Sequence, residues 1–116
     1  MEPSLDLPPP FDVTVYPDRT VVRVVPCGEL DVASRDVLAA QLDELWDSGW
    51  TDVVVDLREL TFMDSSGVHL LLRHRRRASE TGAGFAIIDG PPCVARTLQL
   101  CGAHDMVARM LPERAA

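Results

Sequence analysis

The chain has 116 residues, of which 47% are apolar and 25% are charged, and these values suit one globular domain with a modest core. Its 18 acidic residues outnumber its 11 basic ones, and the resulting net charge of −7 at pH 7 argues against a nucleic-acid binder. Every basic residue is an arginine, which excludes lysine chemistry such as a Schiff base or a Walker lysine.

The sequence also indicates the cellular compartment in which the protein is expected. No apolar run approaches the roughly 18 residues of a membrane span, and no basic start with an apolar core marks a secretory signal. The three cysteines, Cys27, Cys93 and Cys101, form no close pair in the sequence, so reduced thiols are expected. These features predict a cytoplasmic protein without a membrane partner.

The first predicted elements form a hairpin. A proline-rich lead over residues 1–10 is expected to be flexible. From Phe11, apolar and polar residues alternate as in a strand with one solvent-exposed side. After a turn at Pro17, a second β-branched run extends over residues 20–26, which indicates an antiparallel N-terminal hairpin.

A helix and a buried strand follow the hairpin. Gly28-Glu29-Leu30-Asp31 ends the second strand, and the Asp31 carboxylate can cap a helix. That helix is predicted over residues 33–48, where apolar side chains fall on one stripe. Val53 to Val55, followed by Leu57, make a short apolar run that suits a buried strand. Leu60 to Met63 are then expected to leave the sheet.

A second helix is predicted over residues 66–78. Its apolar stripe recurs at i, i+3, i+4 and i+7, at positions Val68, Leu71, Leu72 and Arg75. His74 and His104 are expected at the surface. The same helix carries the basic run Arg73–Arg77, which is typical of a solvated outer face and leaves a docking patch for an acidic partner as the alternative.

The remaining elements complete an α/β pattern. Residues 85–88 suit a buried strand, a helix opens at Pro91-Pro92, and residues 106–111 suit a last short strand before a tail over residues 112–116. A hairpin followed by alternating strands and helices predicts one α/β domain over residues 11–111, with a mixed, mostly parallel sheet.

The most informative motif is Asp64-Ser65-Ser66-Gly67, which lies where a strand's exit becomes the start of the second helix. Free backbone N–H groups and the positive end of the helix dipole favour a capping side chain or an anion there. The motif can therefore be an N-cap alone. It can also be a site where a phosphate on Ser65 adds about −1.5 to −2 charge.

The string Thr61 to Gly67 before an apolar helix, with Gly28-Glu29-Leu30-Asp31 upstream, resembles the STAS domain of bacterial anti-sigma factor antagonists over about residues 11–111. The resemblance implies a β-α superhelical arrangement with the helices packed mainly on one side of the sheet. It also implies that an anti-sigma factor serine kinase phosphorylates Ser65, and that Asp31 ends the neighbouring strand and flanks that serine.

The function implied by the resemblance is a protein-binding switch. The unphosphorylated form is expected to bind the kinase and free a sigma factor, and a serine phosphatase resets it. The expected neighbours of Ser65 and contacts of the partner are Asp31, Asp64, Ser66, Gly67 and His69. His69 departs from the small or apolar residue that antagonists often carry after the glycine, and it is expected to be solvated.

Two other classes of protein are weighed against the switch. A STAS subunit of a lipid or solute transport complex has no phosphoswitch, and the intact Asp-Ser-Ser-Gly motif counts against it because such domains more often carry Thr or Ala there. A serine hydrolase needs a Gly-x-Ser-x-Gly elbow and a suitably placed base, and Ser65 has neither.

Metal binding is poorly supported by the sequence. His69 and His74 are about 140° apart around a helix, so they are badly placed to bind one metal ion together. We therefore predict a binding protein that is not an enzyme and holds no cofactor or metal.

Overall fold

The computed structural model describes residues 10–108. The expected lead lies outside this range except for Pro10, and the expected tail over residues 112–116 lies entirely outside it. The described residues form β1 Asp12–Asp18, β2 Val21–Leu30, α1 Arg35–Asp47, β3 Asp52–Asp56, β4 Leu60–Met63, α2 Ser65–Thr81, β5 Gly84–Ile88, α3 Pro92–Leu100 and a 3-10 helix, His104–Met106.

The strands build one mixed sheet around β2. Strand β1 is antiparallel to β2, which confirms the predicted hairpin. Strands β3 and β4 both run parallel to β2, β3 beside its first half and β4 beside its last residues, and β5 runs parallel to β3. The order β1-β2-β3-β5, with β4 paired to β2, confirms the mixed, mostly parallel sheet.

The core lies on one side of that sheet. Alternate strand residues such as Val22, Val24, Val53 and Val55 are fully or almost fully buried, because successive side chains of a strand point to opposite faces. They form one cluster with apolar residues from all three helices. The helices therefore pack on this face, as the resemblance implied.

The other face of the sheet holds a buried carboxylate. Asp56 is 2% exposed, and it accepts hydrogen bonds from Arg58 Nη2 at 2.8 Å and from Arg23 Nη1 at 3.0 Å. The Arg23 guanidinium also lies 4.5 Å from the centre of the Tyr16 ring. Burial alone would raise the pKa of Asp56, but the hydrogen bonds and charge of Arg58, together with the hydrogen bond from Arg23, outweigh it and lower that pKa.

Two predicted elements are wrong. Leu60 to Met63 do not leave the sheet but form β4, because their backbone pairs with the end of β2 and buries Leu60 and Met63. The predicted last strand starts as the 3-10 helix instead, and only Val107 bridges to Ile87. Residues 109–111 of that predicted strand lie outside the described residues.

The surface position expected for His74 is also wrong. The ring is 4% exposed and its Nδ1 accepts a hydrogen bond from Trp46 Nε1 at 3.0 Å, while burial lowers its pKa. The buried side of α2 passes through Val68, Leu71, His74 and Ala78, so the second half of the predicted stripe is displaced by one residue. His74 consequently faces α1 and not solvent.

No helix within residues 10–108 combines the length and the apolar character that crossing a membrane requires.

Candidate functional site at the start of α2

The candidate site lies where two parallel strands end side by side. Leu30 of β2 pairs with Met63 of β4, and the Asp64 N–H donates to the Leu30 carbonyl at 3.2 Å. Asp31 directly follows β2 and Asp64 directly follows β4, so the two residues leave the sheet from paired positions. The carboxylates of Asp31 and Asp64 thus come from neighbouring strand ends, at the edge where open α/β sheets place their sites.

Asp64 caps α2. Its Oδ1 accepts hydrogen bonds from the Ser66 N–H at 2.9 Å, the Gly67 N–H at 3.4 Å and the Ser66 hydroxyl. The hydrogen bond from the Ser66 hydroxyl is the main cause of the lowered pKa of Asp64, and the backbone bonds and the charge of Arg35 add to it against a smaller effect of burial. The capping interpretation of the motif therefore holds for Asp64 and Ser66.

The two serines differ in what they offer to a partner. Ser65 is the first residue of α2 and is exposed, and its hydroxyl makes no hydrogen bond with any residue of 10–108. Ser66 is only partly exposed, and its hydroxyl donates to Asp64. Within the described part of the chain, Ser65 is the serine of the motif whose hydroxyl is open to an incoming group.

Asp31 is fixed by a tight turn before α1. Its Oδ1 accepts from the Ala33 N–H at 3.0 Å and the Ser34 N–H at 3.2 Å. The Ser34 hydroxyl in turn donates to the Glu29 carbonyl at 2.6 Å, which ties the turn to β2. The carboxylate is therefore held at the strand end and stays partly exposed.

Gly67 acts through close packing. A Cβ atom at this position would lie 2.8 Å from Met63 Cγ and 2.9 Å from Leu30 Cγ, closer than carbon atoms approach. The first turn of α2 can rest on the ends of β2 and β4 only because residue 67 has no side chain. Gly67 is buried, so its part in the site is to position Ser65.

Two exposed apolar side chains lie next to the strand ends that carry Asp31 and Asp64, and the sequence alone did not indicate their exposure. Val32 follows Asp31 and is 65% exposed, and Phe62 in β4 is 44% exposed. The signal for Phe62 was its place beside buried Met63, because neighbouring strand residues face opposite ways. His69 is exposed one turn after Ser65, as expected. The motif thus sits in a surface with apolar as well as charged groups.

Between Pro10 and Ala108, no group of three or more His, Cys, Asp or Glu side chains is placed to hold a metal ion.

The fold has known counterparts. A model of the STAS domain family matches residues 11–115. The structure of the anti-sigma factor antagonist SpoIIAA in its unphosphorylated form superposes with a TM-score of 0.74 at 25% identity, and the match covers 90% of each chain. An anti-sigma factor antagonist from Mycobacterium paratuberculosis shares the fold, with a TM-score of 0.73 at 20% identity over 88% of each chain. The chain belongs to the STAS domain family.

A curated relative indicates where the chain belongs within the STAS domain family. An anti-sigma F factor antagonist from Paenibacillus polymyxa is 34% identical over 85 residues, which cover 72% of this chain and 73% of that protein. The Bacillus cell fate determinant SpoIIAA in its phosphorylated form has the same fold, with a TM-score of 0.67 at 24% identity over 90% of this chain and 94% of that one. Within the STAS domain family, the chain belongs with the anti-sigma factor antagonists.

Proposed function

We propose that the chain is a phosphorylation-controlled protein-binding switch. Unphosphorylated, it binds an anti-sigma factor serine kinase in the cytoplasm and frees the captive sigma factor. The kinase then phosphorylates Ser65 from ATP, and a serine phosphatase resets the switch. The observation that carries the proposal is the contrast between the exposed, unbonded hydroxyl of Ser65 and the hydroxyl of Ser66, which is bound to Asp64.

The proposed reaction requires only the hydroxyl of Ser65 from the chain. Ser65 Oγ forms a bond to the γ-phosphorus of ATP while the bond from that phosphorus to the bridging oxygen breaks, and ADP leaves. The serine proton passes to a base, which we assign to the kinase. Asp64 is unsuited to that part because its capping oxygen is occupied and its pKa is lowered, which makes it a weak base.

Electrostatics explain why the product dissociates. The phosphate adds about −1.5 to −2 charge beside Asp64, in a contact that also faces the phosphates of the bound nucleotide. Two unit charges about 4 Å apart interact by about 4 kcal/mol at an effective dielectric near 20. Half of that energy changes affinity about thirtyfold. The start of α2 stabilises the anion locally, so the switch needs no refolding.

The test of the proposal is phosphate transfer by candidate kinases. The chain is incubated with ATP and each anti-sigma factor kinase from its own genome, and the product is analysed by intact and peptide mass spectrometry. We expect one phosphate on Ser65 in the wild type, none in Ser65→Ala, and an unchanged phosphate on Ser65 in Ser66→Ala. Label on Ser66 in the Ser65→Ala protein would contradict the assignment.

A further inference from the structure

The arginines of α2 fall into two groups, and one group forms ion pairs with acidic residues of neighbouring elements. Arg75 Nη1 lies 2.9 Å from Asp105 Oδ2 in the 3-10 helix. Arg77 Nη1 lies 2.9 Å from Asp43 Oδ1, and its Nη2 lies 3.5 Å from Asp47 Oδ1. These pairs connect α2 to the elements on either side of it, so the charges of Arg75 and Arg77 are neutralised within the fold.

Arg73 and Arg76 form the other group. Both side chains are exposed, and neither lies within ion-pair distance of an acidic residue between positions 10 and 108. Glu80 is the acidic residue one turn beyond Arg76 on the same helix, and it forms no ion pair with that arginine. We call Arg73 and Arg76 the basic ridge.

The basic ridge is aligned with the candidate phosphorylation site. At 100° per residue, His69, Arg73 and Arg76 all lie within about 80° of Ser65 around the helix axis. Arg76 is 11 residues beyond Ser65, which corresponds to about 16 Å along the helix. A partner that covers Ser65 and follows the exposed side of α2 therefore meets the ridge.

We propose that the basic ridge docks against an acidic patch of the anti-sigma factor kinase that acts on Ser65, an inference that rests on the proposed function. The chain carries a net charge of −7, so an acidic partner surface is repelled by most of it. Two cations that have no acidic partner among residues 10–108, and that continue from the phosphorylation site along α2, supply the local attraction. Nucleic acid is a poor occupant, because its affinity grows with the number of phosphates that are neutralised and the ridge offers two charges.

The ridge contributes to association in both phosphorylation states. Arg73 and Arg76 lie about 12 Å and 16 Å beyond Ser65 along the helix, and both distances exceed the Debye length of about 8 Å at physiological salt, so a phosphate on Ser65 alters the ridge only weakly. Charges outside the reacting centre act mainly on the association rate and on salt dependence. The ridge therefore orients the kinase on α2, and Ser65 decides whether the complex persists.

The test compares two double variants with the same change in net charge. Arg73→Gln/Arg76→Gln removes the ridge, and Arg75→Gln/Arg77→Gln removes arginines that are already paired within the chain. Association and dissociation rates with the kinase are measured at about 0.05, 0.15 and 0.5 M salt, and urea unfolding verifies that both variants are folded. We expect the ridge variant to bind about threefold to tenfold more weakly at 0.05 M salt, mostly through slower association, and to approach wild type at 0.5 M.

The control variant is expected to stay within about twofold of wild type at every salt concentration. Equal losses in both variants, or none in either, would overturn the ridge as a docking surface while leaving the proposed switch in place. A wild-type chain that binds none of the candidate kinases would overturn both proposals. Retention on vesicles with anionic headgroups or on DNA that only the ridge variant loses, with kinase binding unchanged, would replace the acidic protein partner with an anionic ligand of that class.

Discussion

Replacing Ser65 by aspartate is expected to weaken binding to the anti-sigma factor kinase by about tenfold to thirtyfold. A carboxylate at the first residue of α2 places a charge next to Asp64 and, in the proposed complex, opposite the phosphates of the kinase-bound nucleotide. Half of a charge interaction of about 4 kcal/mol accounts for this range. Ser65→Ala removes the hydroxyl without adding charge, so it should bind as wild type does. Titration calorimetry with the nucleotide-bound kinase measures all three proteins.

The matched control for this experiment is Ser48→Asp. Ser48 is the exposed residue that ends α1, four residues before β3 begins, and it therefore lies toward the end of the sheet opposite to Ser65. Its replacement adds the same charge to the chain, so it should change kinase affinity by less than about twofold. Equal weakening by both substitutions would show a response to net charge alone and would contradict a local switch at Ser65.

The Asp56→Ala substitution is expected to lower the free energy of unfolding by about 2 to 3 kcal/mol at pH 7. Removing one partner of a buried ion pair costs about 3 to 5 kcal/mol, and the value is smaller here because the side chains of Arg23 and Arg58 are 41% and 55% exposed and can regain water. Urea denaturation monitored by the fluorescence of Trp46 and Trp50 measures the loss.

Lowering the pH into the acid range should remove the stability difference between wild type and Asp56→Ala. The pKa of Asp56 in the folded chain lies below its value of about 3.9 in unfolded chains. The contribution of Asp56 is therefore complete above about pH 4 and is lost as the pH falls through the folded-state pKa. The control Asp36→Asn alters a side chain that is 93% exposed and 3.9 Å from Arg35, and it should cost less than about 0.5 kcal/mol. A stability difference between wild type and Asp56→Ala that stayed constant as the pH was lowered from 7 until the chain unfolds in acid would contradict the account.

The position of the motif at the start of a helix was predictable from the sequence because its signals are local. Asp64-Ser65-Ser66-Gly67 stands at the junction of an apolar run and a helical period, and both are visible within about 20 residues. The contrast between Ser65 and Ser66 was not predictable, because both are short hydroxyl residues at a helix start. Only the three-dimensional structure shows that the Ser66 hydroxyl turns toward Asp64 and donates a hydrogen bond to it.

The failures of prediction come from non-local contacts. A four-residue strand such as β4 has no readable period, and its strand conformation depends on pairing with β2 about 30 residues earlier. His74 was assigned to solvent because histidine is polar, whereas the nitrogen of Trp46 across the helix interface satisfies it. The burial of Asp56 likewise depends on Arg23 from another strand, although Asp56-Leu57-Arg58 offered half of the ion-pair cluster in the sequence.

The most direct test of the switch is sigma factor release before and after phosphorylation. A labelled sigma factor is bound to its anti-sigma factor kinase, and its release is followed by fluorescence anisotropy as the chain is added. Unphosphorylated chain should release the sigma factor near equimolar amounts, and the purified Ser65 phosphoform should need about thirtyfold more. Equal release by the two forms would contradict a switch controlled at Ser65.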